Sequence, residues 1–462
     1  MPDWIAFLCF SALLLVPCFW QKRIQSADLS SHIYNAWLAN QVHNGKLRGL
    51  WISSQSTNVL FDLMLEWLLV RVGADWAQRL AVGFCVLVFG CGAVFFVFRV
   101  SGRNWWFAGP TVAMLAYGFI FHMGFFNFYL SLGLCLWYLA LSWNRGWRTH
   151  LLAALLLIPA WGAHPFPVVW ALAISAYATV ARRITTERRS WLLLVGLATL
   201  VVVRLVLYRQ YVCRWYTTQL GQIVGTNQVV LFGYRYLVPF GGLLLLWTVL
   251  LSGRIKGAGV KCLISESPFQ LLLLQAAAVV VMPGVILFPS FAMPFGYIPE
   301  RISLFAALIM CAVVAPGLTS RRLRTLLVCV TTAFFGLLYF DNLNLNRAED
   351  RLDSAVSSLP ARVRVITRPG SSSLRSLCLY HDLDRACVGH CYSYANYEPS
   401  SGQFRIRASP DNGIVLDKSA DAEAVADGHY VVQSRDLPLY LIYQCGRDHA
   451  GVCSRPLQLG TP

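Results

Sequence analysis

Acidic residues are scarce before Asn342: nine of the chain's 22 lie there, against about 25 of its 38 Lys and Arg. Charge of either sign is thin, at 13% of residues against 57% hydrophobic. So little charge does not cover the surface of a soluble chain of this length, which excludes an ordinary water-soluble enzyme. Also missing are a Walker-type phosphate loop, a G-x-G-x-x-G after a strand, a G-x-S-x-G and an H-E-x-x-H. Nothing therefore recognises a nucleotide. The N-terminus lacks the basic flank and small-residue cleavage site of a signal peptide, so 4–20 is expected to be a retained helix.

What the chain has instead is apolar runs near the roughly 20 residues that cross a bilayer. They fall at about 4–20, 78–100, 106–121, 127–143, 151–163, 166–181, 191–208, 236–252, 269–289, 302–318 and 324–340. Arg99/Arg103, Arg145/Arg148, Arg182/Arg183/Arg188/Arg189, Arg254/Lys256/Lys261 and Arg321/Arg322/Arg324 occupy alternate linkers, all on one side. The positive-inside rule makes that side cytoplasmic. It also explains the net charge of +16 as a topology signal, with no nucleic-acid partner. The expected fold is a polytopic α-helical membrane protein of about 11 transmembrane helices. Its N-terminus is cytoplasmic, and both the loop 21–77 and the tail from 342 lie outside. Lys22 and Arg23 pull the other way. If 58–72 also crossed, there would be twelve spans and Asp28 would be cytoplasmic. That segment is short for a span, and Asn58, Asp62 and Glu66 recur at i, i+4, i+8 as on a helix lying in the interface.

The tail has a different character, with 13 acidic residues balancing about 13 basic ones. Residues 344–359, "NLNRAEDRLDSAVSSL", read as a short amphipathic helix leading out of the membrane. "RVRVIT" and "QFRIRA" alternate as half-exposed strands do, and "HYVVQS" and "LPLYLIYQC" read as buried ones. Residues 342–462 are thus expected to form a small extracytoplasmic α+β domain beside a transmembrane unit, 1–341. Five of the 14 cysteines lie here: Cys378, Cys387, Cys391, Cys445 and Cys453. Outside the cytoplasm they point to one or two disulfides with a thiol left over. The alternative is zinc held among Cys378, His381, Cys387, His390 and Cys391, although the spacing fits no established metal pattern.

Candidate chemistry follows from sorting ionisable groups by side, because such groups at membrane depth are costly and mark substrate paths or paired structural sites. Of the outer carboxylates, Asp62 and Glu66 belong to the interfacial stripe and Asp341 ends the last span. Asp28, Asp75 and Glu300 remain. His32, His43, His122 and His164 map to the same side, and Arg301 follows Glu300 at the mouth of a span. Asp28 and His32 are four apart, about 6 Å on one helix face, with Asn35 three further on. A carboxylate so placed can orient the imidazole or act as a general base; equally, Asp28 can simply cap the helix. Arg301 can grip a phosphate or snorkel to the interface. His122 and His164 can line a cavity or bond carbonyls freed at helix ends.

The stretch "SADLSSHIYNAWLANQVHNGKL" resembles the start of the first extracytoplasmic loop in the GT-C class of integral membrane glycosyltransferases, which includes the protein mannosyltransferases and the lipid A aminoarabinose transferases. The resemblance covers about residues 1–340 and rests on layout: many spans, a long first outer loop with interfacial helices, and an acid early in that loop. It implies an inverting transfer of a sugar from a polyprenyl-phosphate donor to an extracytoplasmic glycan, lipid or protein. By that match Asp28 is the base; the convergence of the other outer groups makes His32 its companion and assigns Asn35, His122, His164, Glu300 and Arg301 to the donor. Many members pair their acids, whereas Ser26 and Ser30 leave Asp28 alone here. No cofactor is expected, and the lone acid does not support a divalent metal. The implied location is a bacterial inner membrane with a periplasmic tail. The alternative is a non-catalytic GT-C-like scaffold in cell-envelope polysaccharide assembly. A transporter lacks support, since no matching pair of broken helices is visible.

Overall fold

The structure, a computed structural model, describes residues 3–102, 108–318, 320–367, 381–445 and 451–460. Up to Ser357 its helices are α1 (Asp3–Phe19), α2 (Leu29–His43), α3 (Leu60–Ser101), α4 (Gly109–Ala116), α5 (Phe119–Met123), α6 (Phe126–Ser142), α7 (Trp147–Ala154) and α8 (Leu157–Ala163). They continue as α9 (Pro165–Arg183), α10 (Thr186–Gln210), α11 (Leu237–Ala258), α12 (Val260–Ser265), α13 (Ser267–Val281), α14 (Ile298–Val314) and α15 (Arg321–Ser357). Five of them, α3, α10, α11, α14 and α15, are long and apolar enough to cross a membrane. The chain is a helical membrane protein. Prolines mark several starts: Pro110, Pro165, Pro268 and Pro299 sit in first turns, where a missing N–H costs nothing.

Four expected spans differ, the 151–163 run parting between α7 and α8. The 106–121 run breaks at Gly118 between α4 and α5. The 269–289 run stops at Val281, and its remainder supplies β3 (Val285–Leu287), antiparallel to β2 (Val212–Arg214). The 324–340 run does not stop: α15 continues for 37 residues through the amphipathic segment. The reason is periodic. No Gly or Pro interrupts 337–359, and the buried face carries on through Asp341, Leu345, Glu349, Leu352 and Val356. α3 joins the stripe segment to the next span in one element, kinked at Gly73 (φ 75°, ψ 169°).

In the tail, β4 (Arg364–Thr367) lies between β5 (Tyr392–Ser393) and β7 (Leu439–Cys445), parallel to both, and β8 (Gly451–Pro456) closes the sheet antiparallel to β7. "HYVVQS" is not a strand. Asp436 draws it into a turn by accepting bonds from the Tyr430 hydroxyl and the Gln433 N–H, both at 2.7 Å. β6 (Ile406–Ala408) leaves the tail's sheet and pairs antiparallel with β1 (Leu50–Ile52) of the first loop. One apolar cluster accordingly mixes Tyr34, Leu38 and Leu50 of the loop with Val356, Val365, Cys387, Ile406 and Ile442 of the tail. The first loop and the tail share a core.

Candidate active site

Asp28 stands at the N-cap of α2, yet its carboxylate makes no capping hydrogen bond. Its backbone is held from α5 instead: Ala27 N–H donates to the His122 carbonyl at 2.8 Å and Asp28 N–H to the Met123 carbonyl at 3.3 Å. Gly124 permits this approach. Its φ is +84°, and a Cβ there would lie 2.5 Å from the Asp28 nitrogen. The carboxylate is left to line a cavity of about 730 Å³, with His32, Asn127, His164, Tyr297, Glu300, Arg301, His381 and Tyr397.

The pairings inside differ from those the sequence favours. His32 turns from Asp28 to Asp62, donating from Nδ1 to Oδ1 at 2.6 Å. Asp62 Oδ2 accepts from Asn127 Nδ2 at 2.7 Å, and Asn127 Oδ1 accepts from the Phe61 N–H. One turn on, Glu66 meets His43 at 2.8 Å and Arg405 at 2.5 Å. The acidic stripe on α3 therefore faces α2 and the tail, while Leu63, Trp67 and Val70 are exposed on the other side. The partner of Asp28 comes from the tail: His381 Nε2 lies 3.6 Å from Asp28 Oδ1.

Burial raises the Asp28 carboxyl above its usual range, and His381, His32 and Arg301 counteract it. Burial works against a charge on His32, but the Asp62 carboxylate prevails and lifts it to about 9. Burial also opposes charge on His381, which Asp384 and Asp28 nonetheless raise. Glu398, enclosed beneath α2 and accepting from Ser31 Oγ at 3.2 Å, is pushed up to about 8 by burial.

At the opposite wall Arg301 lies under three aromatic rings, its guanidinium carbon 4.5 Å from Phe125, 4.9 Å from Phe295 and 5.4 Å from Phe128. It is 8% exposed, and Nε and Nη1 have no hydrogen-bond partner among the described residues. A buried fork with two donors unspent has the geometry to take an anion. Glu300 is occupied at Oε1, which accepts from Gln222 Nε2 at 2.9 Å. Tyr297, at φ 56°, opens α14 just before this pair. His164 caps α9, its Nδ1 accepting from the Phe166 N–H at 3.1 Å while its ring edge faces the cavity.

Two expected donor-binding residues stand elsewhere. His122 is fully buried outside the cavity and donates from Nδ1 to the Gln25 carbonyl at 3.0 Å. Asn35 is buried between α2 and the tail: Nδ2 donates to the Ser31 carbonyl and Oδ1 accepts from Asn396 at 2.8 Å. Both fasten segments that carry Asp28. Cys387–Cys391 and Cys445–Cys453 are disulfides, so the zinc set does not form; Cys378 lies outside the described residues. Among the described residues no cluster of three His, Cys, Asp or Glu is placed to hold a metal.

Beneath the cavity runs a buried ionic junction. Arg385 of the tail donates to Glu349 of α15 at 2.6 and 2.9 Å, and to Gln78 Oε1 at 3.0 Å. Arg23 faces Glu349 at 3.5 Å, Asp350 at 2.8 Å and Asp353. The basic pair after α1 thus meets three carboxylates of the α15 extension. Sequence reasoning places His381 only in the alternative zinc set and Asp62 only in the interfacial stripe, and it passes over Tyr397 and Asn127. For His381 and Tyr397 the only signal was a polar, aromatic segment, "HDLDRACVGHCYSYANYEP", far from Asp28 in the chain. Comparison with known protein families, characterised proteins and solved structures finds nothing that matches this chain.

Proposed function

We propose that the chain is a membrane glycosyltransferase of the GT-C type, moving a sugar from a polyprenyl-phosphate donor to an extracytoplasmic acceptor. The observation that carries this reading is one cavity holding both a carboxylate that makes no capping bond, Asp28, and a buried guanidinium with two unspent donors, Arg301. In this reaction Asp28 removes the proton of the acceptor hydroxyl as its oxygen bonds the anomeric carbon. The bond from that carbon to the phosphate oxygen breaks, its electron pair leaves on the phosphate, and Arg301 stabilises the charge that develops there. Attack opposite the leaving group inverts the anomeric centre. Phe125, Phe126, Phe128, Phe295 and Phe404 supply apolar faces for the sugar and the lipid chain.

The same reading has eleven crossings: α1, α3 beyond Gly73, α4 with α5, α6, α7 with α8, α9, α10, α11, α13, α14 and the first part of α15. The basic linkers then gather at the end away from the cavity, where Arg182 bonds Asn144, Arg189 the Ser265 carbonyl and Arg254 Glu266. By the positive-inside rule that end is cytoplasmic and the cavity opens outside, as in a bacterial inner membrane. Arg23 and Lys22 are answered by Glu349, Asp350 and Asp353, which favours this orientation over twelve spans.

Two experiments test the reading. Asp28→Asn should abolish transfer from polyprenyl-phosphate sugars in vesicles while leaving the protein folded; a fully active variant sinks the assignment in favour of a non-catalytic scaffold. A cysteine at exposed Lys46, in a chain whose exposed Cys9, Cys262 and Cys329 are Ser, should react with an impermeant thiol reagent on intact spheroplasts. Reaction only after the membrane is opened would overturn the topology.

A further inference from the structure

His381 lies 353 positions from Asp28, yet the fold places the two side by side at the cavity, with Nε2 3.6 Å from Asp28 Oδ1. Its other ring nitrogen faces Asp384 Oδ2 at 3.4 Å, three residues on in the same helical turn. Tyr397 stacks edge-on against the imidazole at 5.5 Å between centroids, and the ring is buried. One nitrogen is thus assigned to an orienting acid, the other is aimed at Asp28, and an aromatic face fixes the ring plane. Arrangements of this kind set the tautomer and angle of an imidazole.

We infer that the tail contributes a positioning residue to the site: His381, oriented by Asp384, fixes the direction of the Asp28 carboxylate and favours its anionic form. The inference rests on the reading of Asp28 as the base, and it gives the tail a part in the chemistry. An imidazolium at this distance stabilises the carboxylate that must receive the acceptor's proton, and it opposes the burial that would keep Asp28 neutral. The charged or titratable groups around the pair are Arg301 of α14 with Tyr297 at its start, His32 of α2, and Asp382, Asp384, Glu398 and Tyr397 of the tail.

Because the coupling is reciprocal, it is readable from either end and without turnover. Dicyclohexylcarbodiimide attacks protonated carboxyls in apolar sites, so the pH of half-labelling at Asp28, mapped by mass spectrometry, reports its protonation. His381→Gln should move that midpoint up by about one to three units, the usual effect of an adjacent opposite charge. In the reverse direction, diethyl pyrocarbonate modifies neutral imidazole. Asp28→Asn should therefore shift half-modification of His381 to lower pH, and this variant reports even if His381→Gln fails to fold. Shifts in these directions support the pairing; an unmoved midpoint in a folded variant overturns it. Transfer measured in parallel separates the two ideas. Labelling that shifts in a protein without transferase activity keeps the pair and rejects the enzyme reading.

Discussion

A carboxylate at a helix N-cap ordinarily spends itself on the first-turn amides, worth about 1 kcal/mol. Asp28 makes no such bond, and the donation of backbone amides to α5 carbonyls holds it in place. Its raised protonation range gives a pH signature. On the proposed reading Asp28 is a base and must be ionised, so transfer should fall on acidification with a midpoint above the usual carboxylate value near 4; a kcat–pH profile checks this. Arg301 belongs to the same scale. Arg301→Gln should lower kcat by about 10²-fold or more, as loss of a transition-state donor does. Arg301→Lys should recover part of it, since charge remains but the fork is lost. Gly124→Ala should also impair transfer, because the added methyl collides with the Asp28 backbone and no flexible side chain can yield.

At the scale of elements, the long helix α15 is apolar enough in its first part to cross a membrane, and its extension carries Glu349 to Arg23 and Arg385. Removing one partner of a buried pair leaves the other uncompensated, so Glu349→Gln should destabilise by about 3–5 kcal/mol, visible as a lowered Tm in detergent. The junction of α2 with the tail carries its own pH dependence. Glu398 sits near 8 in the fold against 4.5 unfolded. Its contribution is therefore complete below 4.5 and lost as pH rises through 8. His32, raised from 6.5 to about 9, works in the same direction over the higher window. Tm should thus fall from pH 6 to pH 9, and Glu398→Gln should flatten the lower part of that decline.

These elements also mark what the sequence could disclose. Apolar runs locate most of the long helices, and alternation in "RVRVIT" and the buried run "LPLYLIYQC" locate β4 and β7, because each depends on neighbours in the chain. Asp28, His32, His164, Glu300 and Arg301 were found by sorting charge according to side, and they do line one cavity. Pairings were not legible. β1 with β6, Asp62 with His32 and His381 with Asp28 depend on which distant segments meet, and local periodicity carries no information about that. The stripe of Asp62 and Glu66 showed the limit most clearly: its spacing was read correctly as one face, but the face covering it belongs to α2 and the tail.

For the whole molecule, the first loop and the tail share a core, and the apolar helices supply the other wall of the cavity. The antiparallel pair of β1 and β6 joins residue 50 to residue 408. A ribosome adds roughly 5–20 residues per second, so β1 precedes its partner by roughly 20–70 s. Through that interval α2 has no lid over Tyr34 and Leu38, and His381 does not yet exist. The protein is therefore assembled like a clasp whose second half is made last. A chain released early keeps its membrane anchor and Asp28 but has no finished site, and its uncovered α2 is a surface that quality-control proteases can recognise.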